Sequence, residues 1–279
     1  MKLAKPMFAP HTSAIERIWY FALRIICVLT LLYLILPVLA IVPLSFSSST
    51  FLVYPIPGWS MRWYHNLVMS DEWRMAAKNS FIVAPSATLV ATILGTLAAV
   101  GLTKANFMGK SLLMAVLISP MIVPVIVVGV GMYLFFAPLG IANTYFGLIL
   151  AHAALGVPFV VTTVGATLQN FNYNLVRASQ SLGASPLKTF FRVTLPVIAP
   201  GVISGALFAF ATSFDEVVVT LFLAGTNMTI PKRMFNELIM QINPTITAVA
   251  TLLIGFNILA LVLVVVLSRR GAFLRKSIV

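Results

Sequence analysis

Six runs of apolar residues, roughly 21–44, 79–103, 111–137, 145–167, 197–224 and 244–267, dominate this sequence. Each has about the 20 residues that a helix needs to cross the hydrocarbon core of a bilayer. A segment in lipid must satisfy its own backbone hydrogen bonds, so it is a helix or a strand of a closed barrel. Barrel strands alternate apolar and polar residues. These runs are continuous, so the sequence predicts six transmembrane helices and an all-α integral membrane protein, one domain over residues 1–279. Composition agrees: 60% of the residues are apolar and 9% are charged, against about 25% charged in a soluble domain. Cys27 is the single cysteine, which excludes an internal disulfide and any Cys-based zinc or iron–sulfur site.

The net charge of +12 does not read as nucleic-acid binding, because the basic residues are scattered between apolar runs and form no patch. Topology explains them. With six spans both termini share a side. Of the 18 Lys and Arg residues, only Arg62, Arg74, Lys78, Lys232 and Arg233 fall on the opposite side, leaving 13 with the termini. By the positive-inside rule both termini are cytoplasmic. Val38-Leu39-Ala40 resembles a cleavage site, but the apolar run before it is longer than the ~7–15 residues of a signal peptide; the expectation is an uncleaved span. The outer loop 45–78 carries Trp59, Trp63, Tyr64 and Trp73, which suits a helix lying at the membrane interface. Lys232 and Arg233 read as a solvated outer turn.

Gly109-Lys110-Ser111 looks like the end of a phosphate-binding loop, but that motif needs a glycine where Lys104 stands. A short basic turn is the better reading, and ATP would be bound by another chain.

The inner loop 168–195 is the most informative segment. Residues 177–196 read Arg-Ala-Ser-Gln-Ser-Leu-Gly-Ala-Ser-Pro-Leu-Lys-Thr-Phe-Phe-Arg-Val-Thr-Leu-Pro. This predicts a short amphipathic helix stopped by Gly183 and a second helix started at Pro186. Leu182, Leu187, Phe190, Phe191 and Leu195 offer apolar anchors, either for a soluble partner or for packing on the loop's own helix ends. The pattern Ala178, Leu182, Gly183, Ala184, Pro186, Phe190, Leu195, Pro196 resembles the EAA loop of permease subunits in ABC importers. Arg177 stands where that motif has its glutamate, and Ser179 replaces its second alanine. Trp63-Tyr64, Asn79-Ser80, Gly95-Thr96, Pro120, Pro124, Ala151-His152 and Pro158-Phe159 also resemble this family. Ser213-Phe214-Asp215-Glu216, Leu221–Gly225 and Ile230-Pro231 are most similar to its spermidine/putrescine-type members.

The resemblance implies a permease subunit with the type I ABC importer fold, in the bacterial inner membrane. It implies two copies of a cytoplasmic ATPase that bind ATP and Mg, a second related permease, and a periplasmic solute-binding protein. Arg177, Ala178, Leu182, Gly183, Ala184, Ser185, Pro186 and Phe190 would form the ATPase-coupling loop. No cofactor is implied in this chain, and its remaining partner is membrane lipid. The solute would be a polyamine or a similar small organic cation, with iron, opines or phosphonates as alternatives within the family.

Asp215 and Glu216 lie inside the fifth apolar run, where a charge near the bilayer centre costs roughly 2.5–3.5 kcal/mol. On a helical wheel they share a face with Ser204, Thr212 and Thr220, with Gly201 and Gly205 alongside, while the opposite arc is wholly apolar. Three readings stand: a solute pathway lined by Ser204, Thr212, Asp215 and Glu216; a subunit interface packed through the glycines; or a helix that ends near Phe214. His152 reads as a hydrogen-bonded packing residue, and Pro120, Pro124 and Pro158 as kinks. A stand-alone carrier using Asp215, Glu216 and His152 would leave the docking loop without a purpose. A membrane enzyme would need an acid, His or Cys cluster that six acids and three histidines do not supply.

Overall fold

The computed structural model describes residues 13–240 and 243–259. They fall into two compact units, one formed by residues 13–68 and 243–259, the other by 69–240.

In the first unit, α1 (Ala14–Ser45) opens on a capping box: Ser13 Oγ accepts from Glu16 N, and Glu16 Oε2 accepts from Ser13 N at 2.8 Å. Its apolar side chains, Ile25, Leu32 and Leu36 among them, are exposed. The loop after α1 is held by side chains on α2 (Arg62–Met69). Trp63 is buried and its Nε1 donates to Ser47 O at 2.7 Å, while Tyr64 and Ser45 share a hydrogen bond of 2.8 Å. Trp63 therefore anchors the loop instead of lying on a membrane interface, and Trp73, expected there too, is also buried, whereas Trp59 is 73% exposed. The last described helix, α12, spans Thr245–Leu259.

The second unit is built on α3 (Asp71–Lys104), α6 (Tyr145–Gln169) and α9 (Leu195–Phe214). Ser70 caps α3, with Asp71 and Glu72 in its first turn and Lys104 in its last, as the helix dipole favours. The three helices meet through Ala87, Ala91, Ala153, Val160 and Ala209. Small residues let backbones approach: a Cβ on Gly205 would stand 2.8 Å from Val160 Cα. A second cluster joins Val83, Phe136, Leu148, Leu155, Val219 and Leu223.

Among the described residues, α1, α3, α6 and the helix Pro186–Phe214 are long and apolar enough to cross a membrane. The run 111–137, expected as one span, is instead a pair bent by 106°: α4 (Lys110–Ile118) with a 3₁₀ turn Ser119–Met121, then α5 (Val125–Phe136). Pro124 causes the break, since proline removes a backbone donor and pushes Val123 out of helical geometry. Pro158, by contrast, lies inside α6 without ending it. The fifth run, expected over 197–224, also divides. α9 stops at Phe214, and α10 (Val218–Leu223) follows. The end of the sixth run, from 260, lies outside the described residues.

Candidate functional site

Two places in the second unit gather the polar residues that packing alone does not require.

The first is the loop 168–195. α7 (Asn174–Ser181) ends in a Schellman turn: Gly183 N donates to Gln180 O at 2.9 Å and Ala184 N to Ser179 O at 3.2 Å, with Gly183 at φ +82°. Ser185 then caps α8 (Pro186–Thr189), its hydroxyl accepting from Lys188 N, with Pro186 at the first helical position. The stop and start expected from the sequence are both present. Arg177, Ala178, Gly183, Ser185 and Pro186 are exposed and Ala184 is half-buried. Leu182 is 88% exposed and Leu187 72%. Phe190 turns inward and lines a cavity of about 150 Å³ with Phe171, Val176 and Thr189. Ser179, a departure from the motif, shares a 3.1 Å hydrogen bond with Thr189 that ties α7 to α8. From Pro186 the chain runs as one helix of 29 residues to Phe214. A π segment, Phe190–Thr194, absorbs Pro196: Leu195 N reaches back to Phe190 O, five residues away.

The second place is the far end of that helix. The wheel drawn through Thr220 does not hold, because the chain leaves the helix at Asp215 (φ −99°, ψ 1°). The break places Glu216 just ahead of α10, where the positive end of the helix dipole favours a carboxylate. Glu216 Oε1 now accepts from Val219 N at 2.9 Å, at the start of α10. Asp215 is exposed and Glu216 half-buried. Ser204 is exposed, its hydroxyl donating to Pro200 O at 2.8 Å; Thr212 is half-buried. Ser204, Phe208, Ala211 and Asp215 form one exposed stripe, while Gly201 and Gly205 pack on α6. The small residues therefore serve packing inside this chain, and the expected polar face is split.

His152 on α6 is buried and contacts Ser213 and Thr220 across the break.

A further polar cluster was not singled out from the sequence beyond the pair Asn79-Ser80. Asn79 Nδ2 donates to Met228 O at 2.8 Å, Tyr145 OH donates to Asn79 Oδ1 at 2.6 Å, and Ile230 N donates to Ser80 Oγ at 2.8 Å. These bonds dock the segment leading into α11 (Ile230–Met240) on α3. Arg233 pairs with Glu72 and with Glu237. Lys232, expected in a solvated turn, is 6% exposed and its Nζ donates to Gly225 O at 3.0 Å. Burial holds its pKa below the ordinary value. Burial raises that of Glu237, with Arg233 opposing the shift.

With the geometry established, comparison with known proteins is informative. The family described as "Binding-protein-dependent transport system inner membrane component" matches residues 91–272. The putrescine transport system permease protein PotI of Escherichia coli (strain K12) is 35% identical over 239 residues, covering 83% of this chain and 85% of the relative. The spermidine/putrescine transport system permease protein PotC of Haemophilus influenzae is 32% identical over 240 residues, covering 86% and 93%. Among solved structures, a bacterial ABC transporter involved in the import of the acidic polysaccharide alginate aligns with a TM-score of 0.71 at 14% identity, over 94% of this chain and 99% of that one. At that identity the likeness speaks to fold alone.

Proposed function

Because this chain belongs to the family of binding-protein-dependent transport system inner membrane components, we propose that it is one membrane half of an ATP-driven importer whose solute is a polyamine or a similar small organic cation. The putrescine and spermidine/putrescine transport roles of the relatives support the solute class, as does an exposed carboxylate at the break in the fifth run.

The observation that carries this reading is the exposed turn at Gly183, continuous through one 29-residue helix with the break at Asp215. At 1.5 Å per residue that helix spans about 43 Å. An ATPase seated on Leu182, Gly183 and Leu187 would push on one end, and Asp215 would move at the other. Two copies of the ATPase bind ATP and Mg, one on this loop and one on a second, related permease. A periplasmic binding protein delivers the solute. Both termini face the cytoplasm, with 13 of the 18 basic residues on that side. Asp215 and Glu216, with Ser204 and Thr212, attract and pass the cation.

The test begins with a pull-down of the tagged chain from native membranes in mild detergent, followed by mass spectrometry. Recovery of a second six-span protein and an ATPase with a phosphate-binding loop is expected. Recovery of the chain alone, stable and monomeric, would favour a stand-alone carrier. Uptake of radiolabelled putrescine is expected to fall in the Asp215→Asn, Glu216→Gln double variant. A wild-type rate in a normally assembled double variant would remove these acids from the pathway.

A further inference from the structure

His152 is 1% exposed and lies on α6, where its buried neighbours in sequence are alanine, leucine and glycine. An imidazole there has to find partners for both nitrogens, because an unsatisfied buried polar group is costly. Both nitrogens are engaged. Nδ1 stands 2.9 Å from Ser213 Oγ and 3.2 Å from Ser213 O, and Nε2 stands 3.0 Å from Thr220 Oγ1. The Thr220 hydroxyl donates to Glu216 O at 2.9 Å. With that proton so used, Nε2–H donates to Thr220 Oγ1 and Nδ1 accepts from the Ser213 hydroxyl; in the other tautomer Nδ1–H donates to Ser213 O and Nε2 accepts from the Thr220 hydroxyl. In either form a neutral ring reaches Ser213 and Thr220 with one donor and one acceptor.

The placement of those partners gives the ring its meaning. Ser213 lies in the last turn of α9 and Thr220 in α10. The ring therefore joins the two edges of the break, and the residues between them include Asp215 and Glu216. The Thr220 bond reaches the backbone of Glu216 itself, whose carboxylate closes the start of α10. An aliphatic residue of similar size would fill the same volume between α6, α9 and α10, but it would leave the two helix ends without this link.

We propose that His152 is a positioning residue for solute passage: its imidazole clamps α9 to α10 and so fixes where the break presents Asp215 and Glu216. This rests on the reading of those two acids as pathway residues.

The test uses the complete importer in cells, with putrescine uptake, the membrane level of this chain and its recovery of the ATPase measured together. His152→Leu and Thr220→Val are expected to reach the membrane and hold the ATPase, with uptake lowered about tenfold, the scale of one buried hydrogen bond. His152→Gln, which keeps one donor and one acceptor, is expected to restore most of that loss. In an Asp215→Asn background, His152→Leu is expected to add less than about a twofold further loss, because residues acting as a unit are non-additive. Three results would each overturn the clamp: wild-type uptake in His152→Leu or Thr220→Val; Gln no better than Leu at equal membrane levels; or losses that multiply with Asp215→Asn. If His152→Leu does not reach the membrane, the near-isosteric Thr220→Val decides by the same criteria. A wild-type rate in the Asp215→Asn, Glu216→Gln variant removes the pathway reading itself, whereas impaired acid variants beside a normal His152→Leu remove only the clamp.

Discussion

At the scale of the residue, Gly183 and Lys232 are held by different physics. Gly183 has φ +82°, and nothing lies within 4 Å of where its Cβ would be. Its constraint is conformational and not steric. An L-residue in that region costs about 1–2 kcal/mol. Gly183→Val is therefore expected to leave membrane levels intact while lowering recovery of the ATPase in a pull-down, and Gly183→Asn is expected to lower it less. Lys232 is constrained by burial. Its pKa is lowered, so the unfolded chain binds more protons than the folded one just below the ordinary value of 10.5. Folding stability rises with pH in that window. The thermal midpoint in detergent should thus rise from pH 8 to pH 10 more steeply in the wild type than in Lys232→Met.

At the scale of the element, close helix contacts and an ionic hub at Arg233 set the second unit's order. α9 approaches α6 so closely at Gly205 that a side chain there would meet the backbone of Val160. Gly205→Leu is expected to cost at least the 1–3 kcal/mol of ordinary overpacking, and a lower unfolding midpoint of the purified chain would register it. α11 is fastened differently. Arg233 pairs with Glu237 at 2.9 Å and with Glu72, and its guanidinium lies 5.7 Å from the centre of the Trp73 ring. Glu72 is largely exposed, so that pair alone is worth about 1 kcal/mol or less. Arg233→Ala would also leave the half-buried Glu237 without its partner. Limited proteolysis should then cut within 226–240 faster than in the wild type, and Glu72→Gln should change the rate little.

At the scale of the whole molecule, one helix links the exposed turn at Pro186 to the break at Asp215. Leu182 and Leu187 give that turn its exposed apolar surface. A buried unpaired charge at a docking surface is strongly unfavourable. Leu182→Asp is therefore expected to reduce ATPase recovery more than tenfold while the chain remains in the membrane. An immunoblot of membranes beside the pull-down separates loss of docking from loss of the chain.

Much of this was legible in the sequence because it depends on local chemistry. Apolar runs of about 20 residues give helices because lipid offers the backbone no other partner. Leu182-Gly183-Ala184-Ser185-Pro186 gives a helix stop and start because only the chain's own dihedrals and caps are involved. The breaks were less legible. Pro124 was visible as a kink but not as a 106° bend. For Asp215 and Glu216 the sequence leaves three readings open, and the one in which the helix ends near Phe214 is where the structure ends α9. Only the tertiary structure shows His152 reaching Ser213 and Thr220, 61 and 68 residues away, or Asn79 and Ser80 binding a segment some 150 residues on. Such partners are chosen by packing across the fold. The sequence by itself therefore determined the helices, the turn and the family resemblance. The tertiary structure decided where the fifth run breaks and which buried polar groups hold that break, because a polar group buried among helices is satisfied by whatever folding brings to it.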